Sequence, residues 1–234
     1  AKICPESARM YFHDRIDWLR DWACARRTGL GSPLPWDPSW IVETLSDSTI
    51  YMAFYTINAE IKKHAIKAEQ LTREVFDYVL LGKGNIDAAS KVSGIDRDVL
   101  EAMRQEFLYW YPVDLRVSGK DLVPNHLSFF IFQHTALFPE ELWPKGIGVN
   151  GLIAVEGAKM SKSKGNFVTL KEALDEFGAD ATRLALALGA EGMEDPNWRR
   201  EDAKQTKDGL QTSWLKPTLP TLKGYVSELL QSSA

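Results

Sequence analysis

The sequence of 234 residues has little of several features that define whole classes of protein. It has only two cysteines, Cys4 and Cys24, which excludes a disulfide framework and a cysteine-rich zinc site. We expect both to be reduced, packed thiols in a cytosolic protein. The formal net charge is −4, so bulk charge gives no support for a nucleic-acid partner, and any RNA contact must come from local basic clusters.

Long apolar runs are also missing. The most apolar stretch, from Leu127 to Phe138, is interrupted by polar residues and is too short to span a bilayer. The chain begins with alanine and carries no apolar signal core. We therefore expect a cytoplasmic protein with no membrane partner, and a chain cut from something longer.

What is present is an ordinary globular composition, 44% hydrophobic and 26% charged. Apolar residues at helical spacing predict a helix from about Ser7 to Trp22. A β-rich run, Trp40 to Thr44, precedes a helix that begins near Ser48 and that Ser46 or Asp47 can cap. Strand, short loop and helix in this order are typical of a βα unit in a parallel sheet.

The second half of the chain carries clearer turn and cap signals. A short strand is predicted at Leu115 to Val117 and a helix from Pro124 to His134. Asn150-Gly151 lies between β-like runs, and Asn-Gly in that setting is the strongest short hairpin signal. Thr169 with Glu172 predicts a capping box, and Asp180 can cap the next helix.

The decisive string is Lys159-Met160-Ser161-Lys162-Ser163, continued by Lys164-Gly165-Asn166. Its ammonium groups, hydroxyls and backbone N–H groups suit a polyphosphate. The alternative is a solvated, lysine-rich surface loop. The order of residues favours function, because the five-residue string should arise by chance in well under about one chain in a thousand of this length.

This string resembles the second signature of the class I aminoacyl-tRNA synthetases, whose first signature, His-x-Gly-His, is absent here. Three further segments resemble leucyl-tRNA synthetases of the archaeal or eukaryotic-cytosolic type. They are the re-entry segment at residues 21–36, the amino-acid pocket segment at residues 45–53 and the ribose-binding segment at residues 118–127.

The resemblance implies an α/β fold: the second half of a Rossmann-like, parallel-sheet catalytic domain, followed by a mostly helical stem-contact region. The implied boundaries are residues 1–145 for the catalytic part, with a helical insertion at about 58–108, and residues 146–205 for the signature loop and stem-contact region. Residues 206–234 would begin a helical anticodon-binding domain.

The resemblance also assigns the candidate site. Lys159 and Lys162 are the predicted catalytic residues. ATP would be bound by Gly119, Asp121, His126, Lys159, Met160, Ser161, Lys162 and Ser163. Leucine would be bound by Leu45, Ser48, Tyr51 and His126. Core packing remains the alternative for the leucine residues and His126, and a turn or cap role for Asp121.

The implied reaction is the ATP-dependent activation of leucine and its transfer to tRNA(Leu), with Mg²⁺ accompanying ATP. No protein-only metal site is predicted, since no third ligand is spaced to join His126 and His134. The partners would be leucine, tRNA(Leu) and a missing N-terminal half, without which we expect the chain to be inactive. Alternatives are an isoleucyl- or valyl-type synthetase, and a non-catalytic paralogue that binds tRNA or a partner.

Overall fold

The computed structural model describes residues 1–190 and 192–210, and the chain divides into two compact units at Val149/Asn150. The helices of the first unit are α1 (Ser7–Trp18), α2 (Thr44–Ser48), α3 (Met52–Lys63), α4 (Arg73–Val79), α5 (Ile86–Ser93), α6 (Arg97–Trp110) and α7 (Ser128–Leu137). Its strands are β1 (Lys2–Cys4), β2 (Ala25–Arg26), β3 (Pro33–Leu34), β4 (Asp37–Val42), β5 (Arg116–Gly119) and β6 (Gly146–Asn150).

The described part of the second unit alternates short strands with helices. Its strands are β7 (Ala154–Val155), β8 (Ala158–Lys159) and β9 (Asn197–Trp198). Its helices are α8 (Leu170–Phe177), α9 (Ala179–Gly189) and α10 (Arg200–Gly209). The segment predicted to begin an anticodon-binding domain, residues 206–234, lies outside the described residues from 211 onward.

A three-stranded sheet in the order β1-β6-β5 carries the parallel pairing of the first unit. Strands β1 and β6 run parallel, with Ile3 opposite Ile147, and Ile147 is fully buried. Gly148 on β6 lets the neighbouring strand approach, because a Cβ there would lie 3.2 Å from Val117. Helices between these strands complete an α/β arrangement, which confirms the predicted fold class.

The predicted βα unit at residues 40–57 is wrong. Strand β4 is the centre of a separate antiparallel sheet in the order β2-β4-β3. The predicted helix corresponds to α3, whose N-cap position is Tyr51 with no side-chain capping hydrogen bond, so neither Ser46 nor Asp47 caps it. The separate short helix α2 begins at Thr44 because the Glu43 carboxylate accepts a hydrogen bond from the backbone N–H of Leu45 at 2.6 Å.

Helices α3 to α6 hold a large hydrophobic cluster. Leu100, Met103 and Phe107 are fully buried because their spacing puts them on one face of α6. Asn85 caps α5 through the N–H of Asp87, and Gly94 ends that helix in the left-handed region with φ 70°. The helical reading of residues 58–105 thus agrees with the structure.

The hairpin predicted at Asn150-Gly151 is wrong, because β6 and β7 belong to different sheets. A hairpin does occur at Glu156-Gly157, where β7 and β8 pair antiparallel and both turn residues have positive φ, 50° and 78°. Gly151 serves a different purpose. A Cβ at Gly151 would lie 1.9 Å from the carbonyl oxygen of Glu194, so only glycine permits this close approach.

Other local predictions have mixed outcomes. The capping box is confirmed, since Thr169 and Glu172 exchange hydrogen bonds at the start of α8. Asp180 is not a cap: Gly178 occupies that position and Asp180 lies in the first turn of α9. Both cysteines are exposed rather than packed.

Two predicted helix bounds also shift. Helix α1 ends at Trp18 rather than Trp22, and the helix predicted from Pro124 begins as a π-helical turn, Val123–Leu127, that continues into α7. Within residues 1–190 and 192–210, no helix is long and apolar enough to cross a membrane.

Candidate functional site

The segment predicted to bind an amino acid, residues 45–53, lies on the short helix α2 and the start of α3. Leu45 and Ser48 lie on α2, and Tyr51 is the N-cap residue of α3. The amide of Gln133, on α7, donates to the carbonyl oxygens of Leu45 and Ser46 at 3.5 and 3.3 Å. Gln133 therefore fixes α2 against α7, a role that the sequence did not reveal.

Ser48 and His126 lie together, although 78 positions separate them in the sequence. The Ser48 Oγ is 3.5 Å from His126 Nδ1, and the other ring nitrogen, Nε2, is 3.1 Å from Nη2 of Arg116. A guanidinium can only donate, so Nε2 must be the acceptor and the proton of the neutral ring is on Nδ1. That proton points towards the Ser48 hydroxyl.

Burial and the Arg116 charge both lower the pKa of His126 from its ordinary value of 6.5. Removal from water disfavours the imidazolium, and the neighbouring guanidinium repels it. His126 is therefore neutral at pH 7. A neutral ring with a fixed tautomer is a suitable neighbour for an uncharged, apolar ligand group.

Tyr51 is 39% exposed and contacts Tyr55 edge to face, with ring centroids 4.8 Å apart. It lines a mostly apolar cavity of about 590 Å³ together with Ile50, Phe54 and Leu80. Leu45, Ser48 and His126 are not among the residues that line this cavity. The structure thus brings Ser48 and His126 together and places Tyr51 on a neighbouring surface.

His134, the other histidine considered for a site in the sequence, is buried and hydrogen-bonded within the protein core. It is fully buried, and its Nδ1 donates to the carbonyl oxygen of Phe130 at 2.8 Å. Its Nε2 consequently accepts from the hydroxyl of Tyr111 at 3.1 Å. These partners satisfy both ring nitrogens, so His134 is a packing residue.

Gly119 and Asp121 lie where β5 ends and a 3₁₀ turn, Lys120–Leu122, begins. The Asp121 side chain is exposed, and its backbone carbonyl oxygen accepts a hydrogen bond from the Asn125 amide at 3.4 Å. An exposed carboxylate just after a strand can accept hydrogen bonds from ligand hydroxyls.

The lysine–serine loop, defined here as residues 159–166, belongs to the second unit. It starts on β8, forms a 3₁₀ turn at Lys162–Lys164 and ends at Gly165 in the left-handed region with φ 70°. Lys159, Lys162 and Ser163 are exposed, whereas Met160 packs against the hydrophobic cluster of this unit.

Three hydrogen bonds organise the loop further. The hydroxyls of Ser161 and Ser163 lie 2.8 Å apart. Asn166, after the turn, bonds twice to the arm before it: its Oδ1 accepts from the N–H of Ser161 at 2.9 Å, and its Nδ2 donates to the carbonyl oxygen of Lys159 at 3.1 Å. The ammonium of Lys162 lies 5.2 Å from the centre of the Phe167 ring. The loop therefore presents exposed cations and hydroxyls on a hydrogen-bonded base.

This donor set fits a nucleotide polyphosphate better than a bare metal ion. Flexible ammonium groups, hydroxyls and backbone N–H groups all donate to phosphate oxygens. Among the described residues, no group of three or more His, Cys, Asp and Glu side chains is arranged to hold a metal. Sequence reasoning found the lysines and serines but missed Asn166 and Arg116.

Comparison with known proteins decides the family. A family model described as tRNA synthetases class I (I, L, M and V) matches residues 1–199. The chain belongs to the class I tRNA synthetases. A solved member, methionyl-tRNA synthetase from Mycobacterium tuberculosis in complex with methionyl-adenylate, has a TM-score of 0.59 and 18% identity. That match covers 92% of this chain and 34% of the other, and it supports the fold of this synthetase segment.

The resemblance to leucyl enzymes of the archaeal type is confirmed by relatives. A leucine–tRNA ligase of Methanopyrus kandleri is 59% identical over 201 residues, which are 86% of this chain and 21% of the relative. A leucine–tRNA ligase 2 of Sulfolobus acidocaldarius is 52% identical over 224 residues, 95% of this chain and 24% of the relative. This synthetase chain therefore spans between a fifth and a quarter of the length of these relatives.

Proposed function

We propose that this chain is the C-terminal half of the catalytic core of a leucine–tRNA ligase, which activates leucine with ATP and transfers it to tRNA(Leu). The observation that carries the proposal is the lysine–serine loop, with its exposed cations on a hydrogen-bonded base. The identity of 59% with a relative of that name supports the choice of leucine.

In the proposed reaction, a carboxylate oxygen of leucine attacks the α-phosphorus of ATP. The bond from that phosphorus to the bridging oxygen breaks, and leucyl-adenylate and pyrophosphate form. The 3′ end of the tRNA then takes the leucyl group and releases AMP. Alignment and charge stabilisation dominate such phosphoryl chemistry, so little covalent help from the protein is required.

Lys159 and Lys162 are the proposed catalytic residues, because pyrophosphate gains negative charge as it leaves. A well-placed donor at developing charge contributes roughly 3–4 kcal/mol to transition-state stabilisation. The Ser161 and Ser163 hydroxyls would donate to the same phosphates, and Met160 anchors the loop to its own core. Mg²⁺ would accompany ATP as a further counter-charge.

The first unit would bind leucine and the nucleoside. Leu45, Ser48 and the neutral His126 would form one part of the proposed leucine surface, and Tyr51, on a neighbouring surface, would form the other. Gly119 permits close approach of the nucleotide to the backbone, and Asp121 would accept hydrogen bonds from the ribose hydroxyls. The 3.5 Å contact between Ser48 and His126 supports their shared role.

The proposed domain arrangement follows the family resemblance. Residues 1–145 would be the second half of the catalytic domain, with the helical insertion at about 58–108. Residues 146–205 would form the signature loop and stem-contact region, and residues 206–234 the start of an anticodon-binding domain. The missing N-terminal half is a proposed partner, and a cytoplasmic location accompanies the proposed role in translation.

Pyrophosphate exchange in the full-length protein tests the function. With Lys159→Ala and Lys162→Ala combined, we expect leucine-dependent exchange to fall by a factor on the order of 10³ or more, because two donors to developing charge are lost. Circular dichroism should be unchanged, since both side chains are exposed. The matched control is Lys171→Ala, which removes an exposed lysine from α8. Exchange at the wild-type rate in the double variant would refute the proposed function.

A further inference from the structure

Asn166 is the residue in the lysine–serine loop that sequence reasoning left without a role. Its side-chain amide, which follows the turn, contacts the arm that precedes it at two points: Ser161 N–H at 2.9 Å and the Lys159 carbonyl at 3.1 Å. Between that arm and Asn166 the chain makes the tight turn at Lys162–Lys164 and reverses at Gly165. Asn166 thus closes the loop at its base.

The chemistry of the two contacts is specific to an amide. A backbone N–H can only donate and a backbone carbonyl can only accept, so the bridging group needs one acceptor and one donor. Aspartate could serve Ser161 but has no hydrogen to give to Lys159. The amide orientation is therefore fixed, with Oδ1 towards Ser161 and Nδ2 towards Lys159.

The closed base has a consequence for the cations it carries. Lys159 belongs to one contact directly, and Lys162 follows Ser161, so the backbone positions of both lysines depend on this bridge. Gly165, which ends the turn, has positive φ, and a Cβ there would meet no heavy atom within 4 Å, so no side chain packs against this part of the loop. The amide bridge holds the turn on this side, and Met160 anchors the arm that precedes it.

We infer that Asn166 is a positioning residue for adenylate formation: its side-chain amide holds Lys159 and the Ser161–Ser163 turn in the arrangement that receives the polyphosphate of ATP. The bridge holds the lysines in the alignment that the transition state requires. The catalytic part of this inference rests on the proposed function. The existence of the bridge does not.

Limited trypsin digestion tests the bridge without any activity. Trypsin cuts after lysine, so Lys159, Lys162 and Lys164 report directly on opening of the loop in the full-length protein. In Asn166→Ala we expect cleavage at these sites to be about tenfold faster or more, because two hydrogen bonds that oppose opening are lost. Asn166→Gln keeps the donor and the acceptor and should recover part of the protection.

Pyrophosphate exchange tests the positioning role in the same variants. Asn166→Ala should lower kcat by roughly 10- to 100-fold, as misplacement of a catalytic group by about 1 Å does. The KM for ATP should change far less, since the lysines themselves remain. The matched control is Asn58→Ala, which removes the same amide from α3 and should leave both readouts unchanged.

The outcomes distinguish the claim that Asn166 closes the loop from the claim that it positions the lysines for adenylate formation. Wild-type cleavage and exchange in Asn166→Ala would overturn the inference, and so would faster cleavage throughout the chain, because that pattern indicates lost folding rather than a loosened loop. If the wild-type protein shows no leucine-dependent exchange, the proposed function fails and the digestion still decides whether Asn166 closes the loop. Local acceleration with a selective fall in kcat supports the inference.

Discussion

The Ser48–His126–Arg116 cluster and the lysine–serine loop differ in burial and in the charge that they expose to solvent. The cluster is half-buried and keeps its histidine neutral, with a guanidinium on one ring nitrogen and a hydroxyl facing the other. The loop keeps full charges in water and orders its backbone with an uncharged amide. The first environment suits the proposed recognition of an apolar side chain, and the second suits the proposed release of a charged leaving group.

The difference has a physical basis in desolvation. Covering a cation with an apolar side chain costs free energy because the cation loses water, so a leucine site benefits from a neutral neighbour. A polyphosphate brings its own charge, and an exposed lysine loses little by exchanging water for phosphate oxygens. We therefore expect variants of the cluster to change the KM for leucine and variants of the loop to change kcat.

The largest expected effect comes from testing the chain without an N-terminal half. We expect no leucine-dependent pyrophosphate exchange by the pure chain, because both regions would then lack the half with the histidine signature. Among the described residues, β5 is an edge strand of its three-stranded sheet. Val117 on this strand and Leu115 just before it are 57% and 59% exposed. Addition of the N-terminal half in trans should cover this edge and restore activity.

Robust exchange by the chain alone would contradict this account of a divided active site. A useful control adds an unrelated α/β domain in place of the N-terminal half, which should restore nothing. Analytical ultracentrifugation of the mixture would show whether recovery coincides with association.

An intermediate effect is expected from Tyr51→Ala in the full-length protein. Loss of a large side chain from an apolar surface should raise the KM for leucine by roughly 10- to 100-fold, since burial of such a side chain contributes about 1.5–3 kcal/mol. The KM for ATP should remain near its wild-type value. Tyr109→Ala is the matched control, because it removes an exposed tyrosine from α6 that does not line this cavity, and it should leave the KM for leucine unchanged.

If Tyr51→Ala changes only the KM for ATP, leucine does not bind at the surface that Tyr51 forms. That result would also separate the cavity that Tyr51 lines from the surface formed by Ser48 and His126, which is the distinction that the structure raises.

The smallest expected effect is a shift in pH dependence. In the wild type the KM for leucine should be constant above pH 6.5 and should rise as the pH falls through the lowered pKa of His126. Arg116→Met removes a repelling charge and therefore raises that pKa, so the loss of leucine affinity should begin at a higher pH. Arg116→Lys keeps a cation and should retain the wild-type onset.

A pH-independent rise in KM in Arg116→Met would show that Arg116 acts through packing alone. In the double variant with His126→Asn the pH dependence should disappear, because the titrating group is gone. Kinetics measured from pH 5.5 to 8.5 decide between these results.

Prediction of local structure from the sequence worked where a short residue pattern is enough to specify it. The lysine–serine string marked its loop directly, and the capping box at Thr169 and Glu172 needed only a spacing of three. It failed where a distant part of the chain decides the structure. Asn150-Gly151 has the composition of a hairpin turn, but the close approach of Glu194 explains its glycine.

The missed site residues have the same explanation. Arg116 acquires its role only when folding brings it to His126, and the sequence gives no sign that a side chain on β5 will meet that ring. Asn166 lies within the recognised loop, yet its function depends on which backbone atoms face each other across the turn. Both roles concern hydrogen-bond direction, which a residue pattern does not encode.

The Glu156-Gly157 turn sets a limit on how freely this segment could be exchanged between enzymes. Glu156 has φ 50°, a region that costs an ordinary residue about 1 kcal/mol and that asparagine tolerates better. Its carboxylate also accepts from the N–H of Arg200 at 3.0 Å, at the start of α10. Glu156 thus combines an unfavourable backbone conformation with a side chain that caps α10. A chimaera that receives residues 154–166 in another scaffold would also need the first turn of α10. Without that turn, the Glu156 carboxylate would lose the N–H of Arg200 as its hydrogen-bond donor.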